Sequence, residues 1–157
     1  MPRNRPWSGQ KKQRRCYSGK KRRHTLKTQV VVSKATKPVI CTHMAPGRRH
    51  DRKPFTCSGV RFRETSGVIA GPGYQGLQRE HADTSLPTRN SKKQPLTKEQ
   101  RCANREQSRK RILIENVMGF LKRFKIIAER YRNHRGRFGL RFNLIAAIYN
   151  MELANPS

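Results

Sequence analysis

At 157 residues the chain has room for one domain of ordinary size, so a site that needs two domains would have to borrow the second. Lysine and arginine number 37 against 9 acidic residues, giving a formal charge of +28 and a sequence pI near 11.5; this excludes an ordinary enzyme of small metabolites and points to a polyanionic partner. Hydrophobic residues make up 33%, below the roughly 45–50% of typical globular domains, so only a modest core is available, drawn mainly from residues 24–74 and 112–153.

Residues 1–23 form a basic segment broken by Pro and Gly, which repels itself unless phosphates neutralise it and is expected to be disordered alone. A pattern change at His24 opens the expected folded unit, 24–153, followed by a short tail, 154–157. HTLKTQVVV and KPVICTHMA read as two strands in a hairpin, centred on Val30 to Val32 and Val39 to Cys41. PGRRHD at 46–51 is turn-like, and GVIAG at 67–71 predicts a short buried strand ending at Gly71. Residues 83–96 are polar, contain two prolines and read as a loop.

Thr97 then opens a helix, because TKEQ places Gln100 where a capping box needs it. The spacing predicts one helix from about Thr97 to about Tyr131, with Leu113, Val117, Leu121, Phe124 and Ala128 as its buried stripe. After the basic loop at 133–137, Phe138 to Leu153 reads as a second amphipathic helix packed on the first. The fold class that follows is mixed α/β: hairpin strands and a short strand packed on a long C-terminal helix pair.

Cys16, Cys41, Cys57 and Cys102 are widely spaced, with no CxxC or Cys/His pairing of zinc-site geometry, and are expected to be reduced and structural. The basic start lacks the apolar stretch of a signal peptide, and no apolar run is long enough to span a bilayer. The expectation is a cytoplasmic, DNA-associated protein with no membrane partner and no small-molecule substrate.

Glu115 is the residue most suggestive of chemistry, because helical spacing sets Arg111 and Lys122 on or near its face. On spacing alone the favoured reading is one member of a solvated i,i+4 ion pair. The surrounding sequence adds context. YSGKKRRHTLKTQVVV at 17–32, VICT and APGRRHD within 39–51, SGVRF at 58–62, VIA and GYQGLQ within 68–78, RILIENVMGFLKRFKIIAERYRN at 111–133 and RFGLRFNLIAAIYNMEL at 137–153 together resemble the DDE superfamily endonucleases of bacterial insertion sequences, close to the Harbinger-like transposases.

The resemblance implies a ribonuclease-H-like fold, incomplete in this chain, with two aspartates and a glutamate around divalent metal, Mg²⁺ or Mn²⁺. Hard carboxylate oxygens suit such ions, and a pair of them stabilises both the attacking and the leaving oxygen of a phosphodiester displacement. Glu115 matches the glutamate of that triad, and Arg111, Glu115 and Lys122 match the basic-acidic-basic pattern around it, although a tyrosine of the family pattern is replaced by Ser108. The second aspartate belongs directly after VIA, where this chain has Gly71. The first falls at or before Met1, and only Asp51 and Asp83 are present in the chain. The resemblance therefore implies a truncated transposase that binds DNA and does not cut it.

Asp51 has two readings: a metal-proximal carboxylate, since family members carry His-Asp there, or a cap of the following helix. His50 reads as structural or phosphate-facing. Lys20, Lys21, Arg22, Arg23, Arg111 and Lys122 are the expected contacts to DNA phosphates. Partners beyond DNA are a second copy or a companion transposase fragment. A second function class, a non-catalytic basic protein of the ribosome or nucleoid, rests on charge alone.

Overall fold

A computed structural model describes residues 16–18, 22–91, 94–129 and 135–155. Two short strands open it, β1 (Tyr17–Ser18) and β2 (Arg23–His24), paired antiparallel. Ordered pairing thus reaches into the segment expected to be disordered. Residues 1–15 and 19–21 lie outside the described residues.

The predicted hairpin is present as β3 (Leu26–Val32) and β4 (Val39–Pro46), paired antiparallel with Leu26 opposite Pro46 and Val31 opposite Cys41. Strand alternation gives it two different faces. Leu26, Val30, Val32, Val39 and Met44 contribute to the main hydrophobic cluster, whereas Lys27, Gln29 and Val31 point the other way. The register slips between Val31 and Val32, so Ile40 has no partner opposite it. This β-bulge leaves Ile40 exposed.

A short helix, α1 (Arg52–Ser58), lies against β4 and ends at Gly59, whose φ of 67° is readily reached only without a Cβ. The predicted strand before Gly71 is shorter than its sequence implied. β5 (Val68–Ile69) is half-buried and pairs in parallel with β6 (Thr84–Ser85), inside the stretch that reads as a loop. The sequence hides this pairing because a two-residue strand has no periodicity to read.

The long helix α2 (Lys98–Leu121) begins with the predicted capping box: the Gln100 N–H donates to Thr97 Oγ1, and the Thr97 N–H donates to Gln100 Oε1. Its first turns are fixed to the preceding segment by Asn104, whose side chain bonds both the N–H and the C=O of Thr88, and by Gln107, which donates to Ser85 Oγ. Contrary to the expectation of one helix to Tyr131, α2 stops at Leu121. Phe124 is extended and caps a four-residue helix, α3 (Lys125–Ala128).

The break has a packing reason. Phe124 and Ile126 would lie about 200° apart on a continuous helix, yet with the turn both pack on the same cluster, together with Ile127. Ala128, assigned to the buried stripe by sequence, is exposed, and Leu113 is only half-buried. Tyr131 lies outside the described residues.

The last helix, α4 (Phe138–Ala154), buries Phe138, Phe142, Ile145, Ala146 and Tyr149. It is less amphipathic than expected, because Leu140, Leu144 and Met151 face outward. Asn150 ties it to the hairpin by accepting from the Val39 N–H at 2.8 Å and donating to the Val39 carbonyl at 2.9 Å. Val117 and Leu121 of α2 complete the cluster, and Phe120 meets Tyr149 edge-on.

The observed fold is mixed α/β, with four helices and small two-stranded sheets among the described residues, consistent with an incomplete ribonuclease-H-like arrangement. All four cysteines are free, and Cys57 and Cys102 are exposed rather than structural. Among the described residues no helix is long and apolar enough to cross a membrane.

Candidate functional site

β5 runs out at Ala70, whose N–H still bonds the Ser85 carbonyl, and Gly71 starts the turn Pro72–Tyr74. The middle of α2 passes this strand end. A Cβ built on Gly71 would stand 3.4 Å from Arg111 Nη2, ordinary contact distance, so any side chain at this position would meet the Arg111 guanidinium. One helical turn further, Glu115 Oε1 lies 3.7 Å from the same Nη2. Three positions that sequence reasoning had linked, Gly71, Arg111 and Glu115, therefore line one cavity of about 550 Å³, with Lys110 beside them.

The electrostatics of the cluster are lopsided. Arg111 is 29% exposed and Glu115 68%, and their separation is long for an ion pair, so mutual attraction is weak. Two cations, Arg111 and Lys110, share the cavity lining with one carboxylate, and that carboxylate is open to solvent.

Asp51 sits elsewhere. It is the residue before α1, but its side chain makes no capping bond. Instead Oδ1 accepts from Lys27 Nζ at 2.7 Å, while the same ammonium donates to the Arg49 carbonyl at 2.6 Å. The capping reading of Asp51 is thus overturned by a stronger, charge-assisted partner across the hairpin. A side chain at Gly73 would overlap the Asp51 carboxylate, which explains why glycine stands there. Tyr74 follows, its hydroxyl pKa raised by burial first and by the Asp51 charge second. Phe55, Phe62, Tyr74 and His81 form a chain of ring contacts around this corner. His50 is exposed and placed by the backbone turn into α1.

The donor chemistry does not make a metal centre from these residues. Among those described, no three of His, Cys, Asp and Glu come together; Asp51 is engaged by Lys27, and Glu115 neighbours Arg111.

The expected phosphate contacts are dispersed. Arg111 lines the cavity, whereas Lys122 is exposed just past the end of α2. Arg22 is exposed with φ 47° in the turn between β1 and β2, and Arg23 belongs to β2. Lys20 and Lys21 lie outside the described residues. Sequence reasoning missed the exposed row Arg101, Arg105 and Arg109, although its four-residue spacing was readable. It also missed Lys27, whose signal was a lone charge in an apolar strand, and Gln29, buried on the same hairpin face.

The family model for DDE superfamily endonucleases matches residues 1–150. The chain belongs to the DDE superfamily of endonucleases. It is also 48% identical over 144 residues to the "Probable transposase for insertion sequence element IS702" of Microchaete diplosiphon. That alignment covers 92% of this chain and 52% of the relative, so the chain spans about half the length of the curated relative it matches. No solved structure matches. Within a DDE endonuclease chain, the placement of Gly71 beside Arg111, one turn from Glu115, in one cavity is the geometry on which a functional reading turns.

Proposed function

We propose that this chain is a DNA-binding part of an insertion-sequence transposase, and that this polypeptide alone does not cut DNA. The observation that carries the reading is the cluster at the end of β5. Glu115 occupies the place that family resemblance gives to a catalytic carboxylate, while Gly71, where an added Cβ would meet the Arg111 guanidinium, contributes no side-chain oxygen ligand. A carboxylate at position 71 would stand against Arg111, near Glu115. Asp51 is a poor substitute, since Lys27 already holds it. A divalent ion, Mg²⁺ or Mn²⁺, would supply Lewis-acid activation of a phosphodiester to a complete set of carboxylates. The described residues of this chain include no such set.

DNA binding is supported by the net charge of +28 and by the exposed cations of α2. Arg111, Lys122, Arg22 and Arg23, with Lys20 and Lys21 upstream, are assigned to phosphates. Such contacts displace condensed counterions, so affinity depends steeply on salt. Fluorescence anisotropy with a labelled duplex tests the reading. If about 6–10 phosphates are neutralised, binding should weaken by about 10³–10⁵-fold between 50 and 200 mM salt. Salt-independent binding, or capture by ribosomes in preference to DNA, would overturn it.

A further inference from the structure

α4 carries an outward face that neither its own core nor DNA binding explains. Phe138, Phe142, Ile145, Ala146 and Tyr149 bury one side of the helix against the hairpin and α2. Leu140, Leu144, Ala147 and Met151 recur at spacings of four, three and four residues. At about 100° per residue this confines them to a strip roughly 60° wide on the opposite side. Leu140, Leu144 and Met151 are 72%, 62% and 66% exposed, and Ala147 is exposed with them. A helix apolar all round is the pattern of one enclosed by protein, and alternating steps of four and three are the seam of paired helices.

The strip matches itself. Laid antiparallel on a second copy, about a two-fold midway between Ile145 and Ala146, α4 sets Leu140 opposite the second copy's Met151 and Leu144 opposite its Ala147. Each central step then faces a large side chain with a small one, and two long flexible side chains close each end. A parallel pair would face Ala147 with Ala147 and leave a gap there. The charges agree with the antiparallel order. Arg141 and Glu152 are the charged residues of α4 and stand eleven residues apart, on one flank of the strip. The two-fold brings each to within about 3 Å, along the helix axis, of its opposite on the second copy. Glu152 enters no ion pair among the described residues. The chain as a whole carries +28, whereas α4 sums to zero, so this is a face on which two copies meet with little repulsion.

We propose that α4 is a dimerisation helix, through which two copies of this chain associate antiparallel, with Leu140, Leu144, Ala147 and Met151 as the seam and Arg141–Glu152 pairs along one edge. The contact is small: a strip of three turns falls short of the roughly 1,000 Å² expected of a stable interface, so the free chain dimerises weakly. Like charge on the rest of the two copies opposes it further. Salt screens that repulsion, so association strengthens as salt rises, opposite in sign to phosphate binding. The inference therefore stands or falls separately from the DNA reading.

Sedimentation equilibrium of the full chain, freed of nucleic acid, tests it at about 0.15 M and about 1 M salt. The mass should move from one chain towards two as concentration rises from about 10 µM to about 1 mM, with association at least about threefold tighter at the higher salt. Leu144→Glu and Ala147→Glu, both at exposed positions, should each weaken association at least about tenfold while the urea midpoint stays unchanged. Ile112→Glu, at an exposed apolar residue of α2, should leave association unaltered. Glu152→Arg makes both edge pairs repulsive in the antiparallel order and should weaken association about threefold or more; a parallel pair would only exchange one like-charge contact for another. A monomer throughout would give the strip to another occupant, such as the half of the relative that this chain does not span, and overturn the proposal. Association indifferent to Leu144→Glu or to Glu152→Arg, equal loss in Ile112→Glu, or association that weakens as salt rises would overturn it as well.

Discussion

The two faces of the β3–β4 hairpin have opposite characters. Towards α4, Val39, Phe142, Ile145 and Tyr149 are closely packed, and the Val39 N–H and C=O beside the bulge are met by the Asn150 amide. Towards β5 and the middle of α2, the same hairpin offers Gln29 and Val31 to a cavity, with a buried amide unmet and, among the described residues, no strand beside β3 other than β4. One face is a closed core; the other leaves a buried amide without a partner. Burial on the first face sustains the fold, and the second borders the cavity that Gly71, Arg111 and Glu115 line.

The sharpest way to break the comparison is to damage the finished face. Phe142→Ala removes a side chain that is almost fully buried and should cost about 3–5 kcal/mol, read as a lower urea midpoint. A loss under 1 kcal/mol would mean that α4 is not the centre of the core. Next, Asn150→Ala strips the Val39 N–H and C=O of their partners and should cost about 1–3 kcal/mol. On the open face the sign should reverse. Gln29→Leu replaces a buried, unpartnered amide by an apolar group of similar size and should leave stability unchanged or raise it by about 1 kcal/mol. Destabilisation as large as that of Asn150→Ala would erase the distinction between the faces.

Smaller effects sharpen the picture at the corner beside the cavity. Tyr74 has a pKa raised above the usual 10.0 by burial and by Asp51. A raised folded-state value means that the folded chain holds this proton more tightly, so its contribution to stability is complete below pH 10 and is lost as pH rises through the folded value. Asp51→Asn should bring the Tyr74 transition back towards 10.0 in an ultraviolet pH titration, and should cost no more than about 1 kcal/mol, since the Lys27 pair is partly exposed. An unmoved tyrosine transition would remove the charge of Asp51 from the corner.

Legibility from sequence followed the same division. The hairpin, the capping box at Thr97 and Gln100, and the Val117–Leu121 stripe were readable because each has a periodic or local signature. The end of α2 at Leu121 was not, because it is decided by the competition of Phe124, Ile126 and Ile127 for one cluster. β5 and β6 escaped for a different reason: two-residue strands exist only through each other. At the candidate site, the link between Gly71 and Glu115 came from family resemblance, and Arg111 joins them in space. The partnership of Lys27 with Asp51 required the hairpin to be folded, and the sequence offered a capping role that the charge-assisted bond displaces.

Plasmid nicking in Mg²⁺ or Mn²⁺, with binding to the same plasmid verified in parallel, tests the central claim most directly. The expected result is a DNA-bound protein that leaves the plasmid supercoiled, with or without Glu115. Metal-dependent nicking by this chain that disappears in Glu115→Ala would contradict it.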